Sequence, residues 1–217
     1  MYIPEEDSLP IFDGRTKEER EKAKVAYLEK LPEIVESNAS IYLKRHGIPE
    51  NYMDASLASF KGYEGIIGKC NEYLKNPNRN IMLEGKCGSG KTHIACAIIR
   101  ELVKSDKQAL FMGIPEILME LRSSYKESSQ HTEQEIINYL SKVPFLVMDD
   151  LGAEKTSEYS ISSFYLILDN RINRMLPTII TTNLSLGMIE KAFGARIASR
   201  LSGFEIWHFD MPDYRKK

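Results

Sequence analysis

Cysteine is scarce in this 217-residue chain, and the three that occur, Cys70, Cys87 and Cys96, form no CxxC pair. The four histidines do not cluster with them. A zinc site and a disulfide framework are therefore not expected, and a reducing, cytoplasmic setting suits the chain. Long apolar runs are also missing: none approaches the roughly 18 residues that span a bilayer. The opening, MYIPEEDSLP, is acidic and lacks the apolar core of a signal peptide. Nor does charge of one sign accumulate. Lysine and arginine total 29 against 31 aspartates and glutamates, a net charge of -2, which argues against coating nucleic acid by bulk charge but permits a local basic patch. No repeat or low-complexity tract is visible. What remains is an ordinary globular composition, 42% hydrophobic and 28% charged, long enough for a sizeable core.

Two sections succeed one another along the chain. Residues 1–14 read as a loose arm, and Thr16 to about His46 as helix, with Thr16 and Glu19 at capping-box spacing. Pro32 is expected to break this stretch into two helices. Residues 48–60 read as a linker packed on the next domain. A boundary at 55/56 divides a short helical extension, residues 1–55, from the main domain, residues 56–217. From Gly62 the pattern alternates. Strands are expected at Asn80–Glu84, Ala109–Met112, Phe145–Met148, Thr178–Thr182 and Phe204–Phe209. Helices are expected at about 63–75, Thr92–Lys104, Ile114–Tyr125, from Thr132 to Leu140, Ile161–Met175, after a Ser185 cap, and Ala195–Leu201. Such alternation implies an α/β fold with a parallel sheet covered on both faces.

The segment Gly85-Lys86-Cys87-Gly88-Ser89-Gly90-Lys91-Thr92 fits G-x-x-x-x-G-K-[ST], after a strand and at the start of a helix. Small residues let backbone N–H groups curl around phosphate oxygens, and the helix N-terminus favours negative charge. Lys91 is placed to reach the β- and γ-phosphates and Thr92 to ligate magnesium. The plain alternative, a glycine-rich turn that binds nothing, fits the strand-loop-helix context poorly. Gly85, Lys86, Cys87, Gly88, Ser89, Gly90, Lys91, Thr92 and His93 are the candidate ATP-binding residues.

"FLVMDDLG" is an apolar strand ending in two aspartates. Asp149 is placed to hold magnesium through water, and Asp150 to act as general base toward an attacking water. A cap after a strand is the bland alternative. Asn183, at the end of "TIITTN", either orients that water and touches the γ-phosphate or caps the helix near Ser185; the residues leave both open. Arg196 and Arg200 lie four apart on one helical face. They form either a solvated basic face or an arginine finger offered to a neighbouring subunit's nucleotide, which requires an oligomer. Arg215, near the terminus, either reaches the γ-phosphate or belongs to a polar tail.

In this order, "GKCGSGKTHIACAI", "FLVMDDLGAE", "PTIITTNLS", "GARIASRLSG" and "DYR" resemble the DnaC/DnaI-type bacterial helicase loaders, AAA+ ATPases grouped with the IstB-type transposition helpers. The resemblance covers roughly residues 56–217. It implies a P-loop AAA+ core of five parallel strands, with the Asn183 strand between the phosphate-loop and Asp149 strands. It implies ATP with magnesium at the loop and Asp149, a hydrolysis site including Asp150, and Asn183 as sensor. Arg200 is implied as the finger, Arg196 as its interface neighbour and Arg215 as second sensor. Eight residues come after the last strand, so no helical lid is expected.

The resemblance also implies a replicative helicase partner gripped by the N-terminal helices, single-stranded DNA in an axial channel, and an ATP-dependent helical oligomer with slow, stimulated ATPase activity. Arg122 and Lys126 are then candidates for phosphates, and Tyr125 for a base. Ser157 and Tyr159 are offered from a facing loop. Core packing is the alternative for both tyrosines. A transposition helper acting on duplex DNA is the competing function. A small-molecule phosphoryl-transferase and a binding module without turnover are further alternatives.

Overall fold

The computed structural model describes residues 22, 25–27, 29–33, 43–60, 64–125, 129, 131–152 and 157–213. Lys126, Arg215 and the Thr16–Glu19 cap lie outside the described residues. Pro32 stands inside helical residues 29–33, so the expected break does not fall on it; proline's fixed φ is itself helical.

The strands are β1 (Ile81–Gly85), β2 (Ala109–Gly113), β3 (Phe145–Leu151), β4 (Thr178–Thr182) and β5 (Glu205–Phe209). Helix α1 (Glu64–Lys75) precedes β1 and α2 (Lys91–Lys104) comes after it. Helices α3 (Ile114–Ser123) and α4 (Glu133–Leu140) lead to β3, α5 (Glu158–Asn173) to β4, and α6 (Leu186–Phe193) and α7 (Ala195–Leu201) to β5. All pairings are parallel, in the order β2-β3-β4-β1-β5. This is the expected AAA+ arrangement, with β4 between β1 and β3.

Strand alternation sends Ile81, Leu83, Val147, Ile179 and Trp207 to one face. Met82, Leu146, Met148 and Ile180 go to the other. The first face packs on α1 and α2, and the second on α3 to α7. Being covered on both sides, β4 is buried at every position. Arg171, fully buried, donates to Thr178 Oγ1 (2.9 Å) and to the carbonyls of Leu140 (2.7 Å), Val143 (2.7 Å) and Pro177 (2.8 Å). Its planar fork thereby fixes the amino-terminal ends of β3 and β4.

Several boundaries move. Thr132 and Glu135 form the expected capping box of α4. Ser185 occupies the N-cap of α6, but its side chain makes no cap hydrogen bond. β3 runs three residues beyond the expected Met148, so both aspartates lie within the strand. Leu31, Leu43, Ile48 and Ala55 are buried in the same core as Phe60, Ile81 and Trp207, so the residues expected as a linker pack on the main domain.

Candidate nucleotide-binding site

Helix α2 starts at Lys91, after the loop that leaves β1. Gly90 there has φ +94°, a left-handed conformation that glycine adopts without cost, and a Cβ on it would collide with the Phe60 ring. Lys91 Nζ donates to the carbonyls of Gly85 and Lys86, both at 2.8 Å, which holds its ammonium over the loop. Residues 210–213 border the same loop beside Lys86 and Cys87.

Asp149 lies beside α2. Thr92 Oγ1 is 3.1 and 3.2 Å from its two carboxylate oxygens. Thr181 Oγ1, on β4, donates to Oδ1 at 2.6 Å. The same hydroxyl accepts the Asp150 N–H at 2.9 Å. Burial pushes the Asp149 carboxyl above its ordinary range, and the Thr181 and Thr92 hydroxyls only partly oppose this. Asp150 has φ +64° at a register shift between Met148 and Leu151. Aspartate tolerates that region, and the kink leaves this side chain exposed on the cleft.

Thr92 and Asp149 supply hard oxygen donors, and a cation there would lower the raised Asp149 pKa. No group of three or more His, Cys, Asp or Glu is arranged for a metal among the described residues. A hydroxyl and a single carboxylate fit the donor set of magnesium, which uses one or two carboxylates and completes its shell from phosphates and water.

Asn183 comes directly after β4. Its Nδ2 stands 3.7 Å from Cys87 Sγ, so its amide meets the phosphate loop, while the N-cap of α6 falls to Ser185. Lys91, Thr92, Asp149, Asp150 and Asn183 thus converge at the carboxyl ends of β1, β3 and β4. The cleft at this point, about 680 Å³, has Pro49, Asn51, Tyr52, Ser59 and Phe60 as its other wall. Neither Thr181 nor this second wall is foreshadowed in the sequence: a threonine in a buried strand carries no signal of its own, and a linker has no motif.

Arg196 and Arg200 are not part of this cluster. Arg200 pairs with Asp169 of α5 at 2.5 Å, and its pKa is raised first by a hydrogen bond to Tyr165 and then by Asp169. Helix α7 leads into β5, whose Glu205 N–H bonds the Asn80 carbonyl just before β1. Arg200 therefore lies toward the amino-terminal edge of the sheet, about 16 Å of strand from the phosphate loop at roughly 3.3 Å per residue. Arg196 is exposed.

The candidate DNA residues fall together in part. The Tyr125 and Tyr159 rings meet edge to face at 5.6 Å, and Tyr125 is 64% exposed. Tyr125 donates to Glu133 Oε2 at 3.0 Å, and Arg122 is exposed one turn before it. Ser157 is committed as N-cap of α5, accepting the Ser160 N–H at 3.2 Å. No helix among the described residues is long and apolar enough to cross a membrane.

The sequence profile of the IstB-like ATP binding protein family matches residues 70–201. The chain belongs to this family. The replicative helicase loader DnaC of Buchnera aphidicola subsp. Baizongia pistaciae is 29% identical to this IstB-like protein over 184 residues, 81% of this chain and 75% of that one. DnaC of Escherichia coli K12 is 28% identical over 182 residues, 80% of this chain and 74% of that one. The crystal structure of the DnaC helicase loader superposes with a TM-score of 0.66 at 21% identity, covering 75% of this chain and 100% of that one. The resemblance to DnaC-type loaders and the AAA+ P-loop fold expected from the motifs are thus both present. Membership of this family makes the chain an ATP-binding protein.

Proposed function

We propose that this chain is an ATP-dependent loader of a replicative DNA helicase. The observation that carries this reading is the hydrogen-bonded set Lys91, Thr92, Asp149 and Thr181 at the phosphate loop of a chain similar to DnaC loaders. In this reading the amides of Gly85 to Gly90 cradle the phosphates and Lys91 neutralises the β- and γ-phosphates. Thr92 and, through water, Asp149 hold magnesium, which would spread the charge that develops on the phosphates. Asp150 takes the proton of the attacking water, which Asn183 orients.

Arg200, remote from its own phosphate loop, serves the nucleotide of a neighbouring copy, with Arg196 beside it. ATP then favours a helical oligomer, and turnover by an isolated subunit is slow. Arg215 acts as second sensor. Arg122, Tyr125, Lys126, Ser157 and Tyr159 track single-stranded DNA, with the paired tyrosine rings as a stacking surface. The helicase is gripped by the extension, residues 1–55, and the protein works in the cytoplasm.

Mass photometry of the chain with the replicative helicase of the same organism, with and without a non-hydrolysable ATP analogue, tests this. A defined complex that forms with nucleotide is expected. Truncation at residue 50 would strip Leu31, Leu43 and Ile48 from the core, so charge reversals at exposed positions such as Lys22 and Lys30 should locate the grip instead. No complex in any nucleotide state would overturn the loader reading, and a nucleotide-dependent complex with duplex DNA and a transposase would replace it.

A further inference from the structure

Residues 46–60 cross the nucleotide cleft as a strap pinned at three places. At its start, the His46 carbonyl accepts the Phe111 N–H at 2.8 Å, and His46 Nδ1 lies 2.6 Å from the Ala109 carbonyl, both on the edge strand β2. At its middle, Arg100 of α2 donates to the Met53 carbonyl at 2.7 Å. At its end stands His93, the residue after Thr92 in the first turn of α2. His93 Nε2 is 3.0 Å from the Ser56 carbonyl and 3.1 Å from Ser59 Oγ. A carbonyl only accepts, so Nε2 carries the proton. The imidazole also packs 5.5 Å from the Phe60 ring, which is 6% exposed and lies over Gly90. Between the pins, Pro49, Asn51 and Tyr52 face the phosphate loop across the cleft.

The phosphate loop has chemistry for phosphates alone: backbone amides, an ammonium, a hydroxyl and a carboxylate. The strap wall has a different chemistry, a proline ring, a carboxamide and a phenol, which suits the flat, mostly apolar nucleoside end of a nucleotide. Because His93 and Thr92 are adjacent, the residue that fixes the strap is rigidly tied to a residue of the phosphate site.

We infer that His93 is a positioning residue that latches the strap to the first turn of α2 and so builds the nucleoside wall of the cleft. The inference rests on the ATP-binding reading. It adds a role on the strap for His93, which also lines the cleft where the sequence pattern places it. The His93 hydrogen bonds hold Ser56–Phe60 above Gly90, and without them the downstream tether of Pro49–Tyr52 is reduced to the Arg100 bond at Met53.

Competition against a fluorescent ATP analogue tests this with three probes, ATP, ADP and inorganic tripolyphosphate, on the full chain. His93→Ala should weaken ATP and ADP about tenfold, the effect of losing a shared hydrogen bond and its ring contact, and leave tripolyphosphate within about twofold. His93→Gln, whose amide N–H can still reach the Ser56 carbonyl, should recover most of the loss. Thermal unfolding of each variant is read alongside, and the glutamine variant carries the comparison if the alanine variant does not fold. Equal losses for all three probes, no loss for ATP, or no recovery with glutamine would overturn the positioning role. Failure of the wild-type chain to bind ATP would instead overturn the functional reading on which it rests.

Discussion

Replacing Thr181 with valine removes one hydroxyl from the centre of the site and changes volume little. That hydroxyl donates to Asp149 Oδ1 at 2.6 Å and accepts the Asp150 N–H at 2.9 Å, in a side chain 1% exposed. A hydrogen bond to a charged group is worth about 1.5–3 kcal/mol, and an orphaned N–H costs about 1–3 kcal/mol where it is buried. Asp150 is exposed, so water offsets much of the second cost, and the total comes to about 3 kcal/mol. In a domain of this size that lowers the unfolding midpoint by about 6–12 °C.

The deficit should depend on pH. Burial already holds the Asp149 carboxyl above its ordinary range, and the Thr181 hydroxyl is one of the groups opposing this. A carboxyl raised in the folded state favours folding below its unfolded pKa, and that contribution is lost as pH rises through the folded value. Thr181→Val raises Asp149 further, so its penalty is largest near neutral pH and shrinks as Asp149 protonates. The acid limb of ATP turnover should move to higher pH, and turnover at neutral pH should fall at least tenfold as Asp150 loses its anchor. Thr181→Ser keeps the hydroxyl and should restore both. Thermal unfolding across pH and a phosphate-release assay provide the readouts. Wild-type stability and turnover in Thr181→Val, or no recovery in Thr181→Ser, would refute the reasoning.

Asp149→Asn should raise the unfolding midpoint at neutral pH and flatten its pH dependence, because the buried charge is gone, while abolishing magnesium-dependent turnover; a lower midpoint would contradict the burial argument. Gly90→Ala forces a side chain at φ +94° against the Phe60 ring, costing about 1–2 kcal/mol for the backbone alone, and equilibrium urea unfolding should show at least that loss. Arg200→Ala should leave the unfolding midpoint close to wild type, because its ion pair with Asp169 is half-exposed, yet eliminate partner-stimulated turnover. Mixing Arg200→Ala with Lys91→Ala subunits should return part of that turnover, since the Lys91→Ala copy supplies the arginine that the intact phosphate loop of an Arg200→Ala neighbour lacks; no recovery would refute the inter-subunit role.

The strands and helices of the core are legible in the sequence because their signals are local. The β4 segment TIITT reads to its observed limits, since a short β-branched run bounded by Pro177 and Asn183 leaves little choice. Thr132 and Glu135 read as a cap from spacing alone. The phosphate loop is equally plain, because its glycines and lysine must occur at fixed intervals to surround a phosphate. By contrast, the apolar run of β3 stops at Met148, although the strand continues through both aspartates by means of a register shift. A bulge arises from pairing with β4 and leaves no mark in the residues themselves.

The chain alone determined that a phosphate loop stands at the start of a helix, that two acidic residues come after an apolar run, and that strands and helices alternate. Those are properties of neighbouring residues and of short-range periodicity. Tertiary structure decided which distant residues complete the site. Thr181 joins Asp149 and Asp150 only because β3 and β4 lie side by side in that register. Residues 49–60 line the cleft where His93, Arg100 and Phe111 hydrogen-bond this stretch of chain and where Ala55 and Phe60 are buried in the core. Arg200 is removed from its own phosphate loop because α7 enters β5 at the amino-terminal ends of the strands, whereas the loop leaves the neighbouring β1 at its carboxyl end. Such contacts join residues tens of positions apart, and their free energy arises from burial and hydrogen bonds that exist only once the sheet has closed.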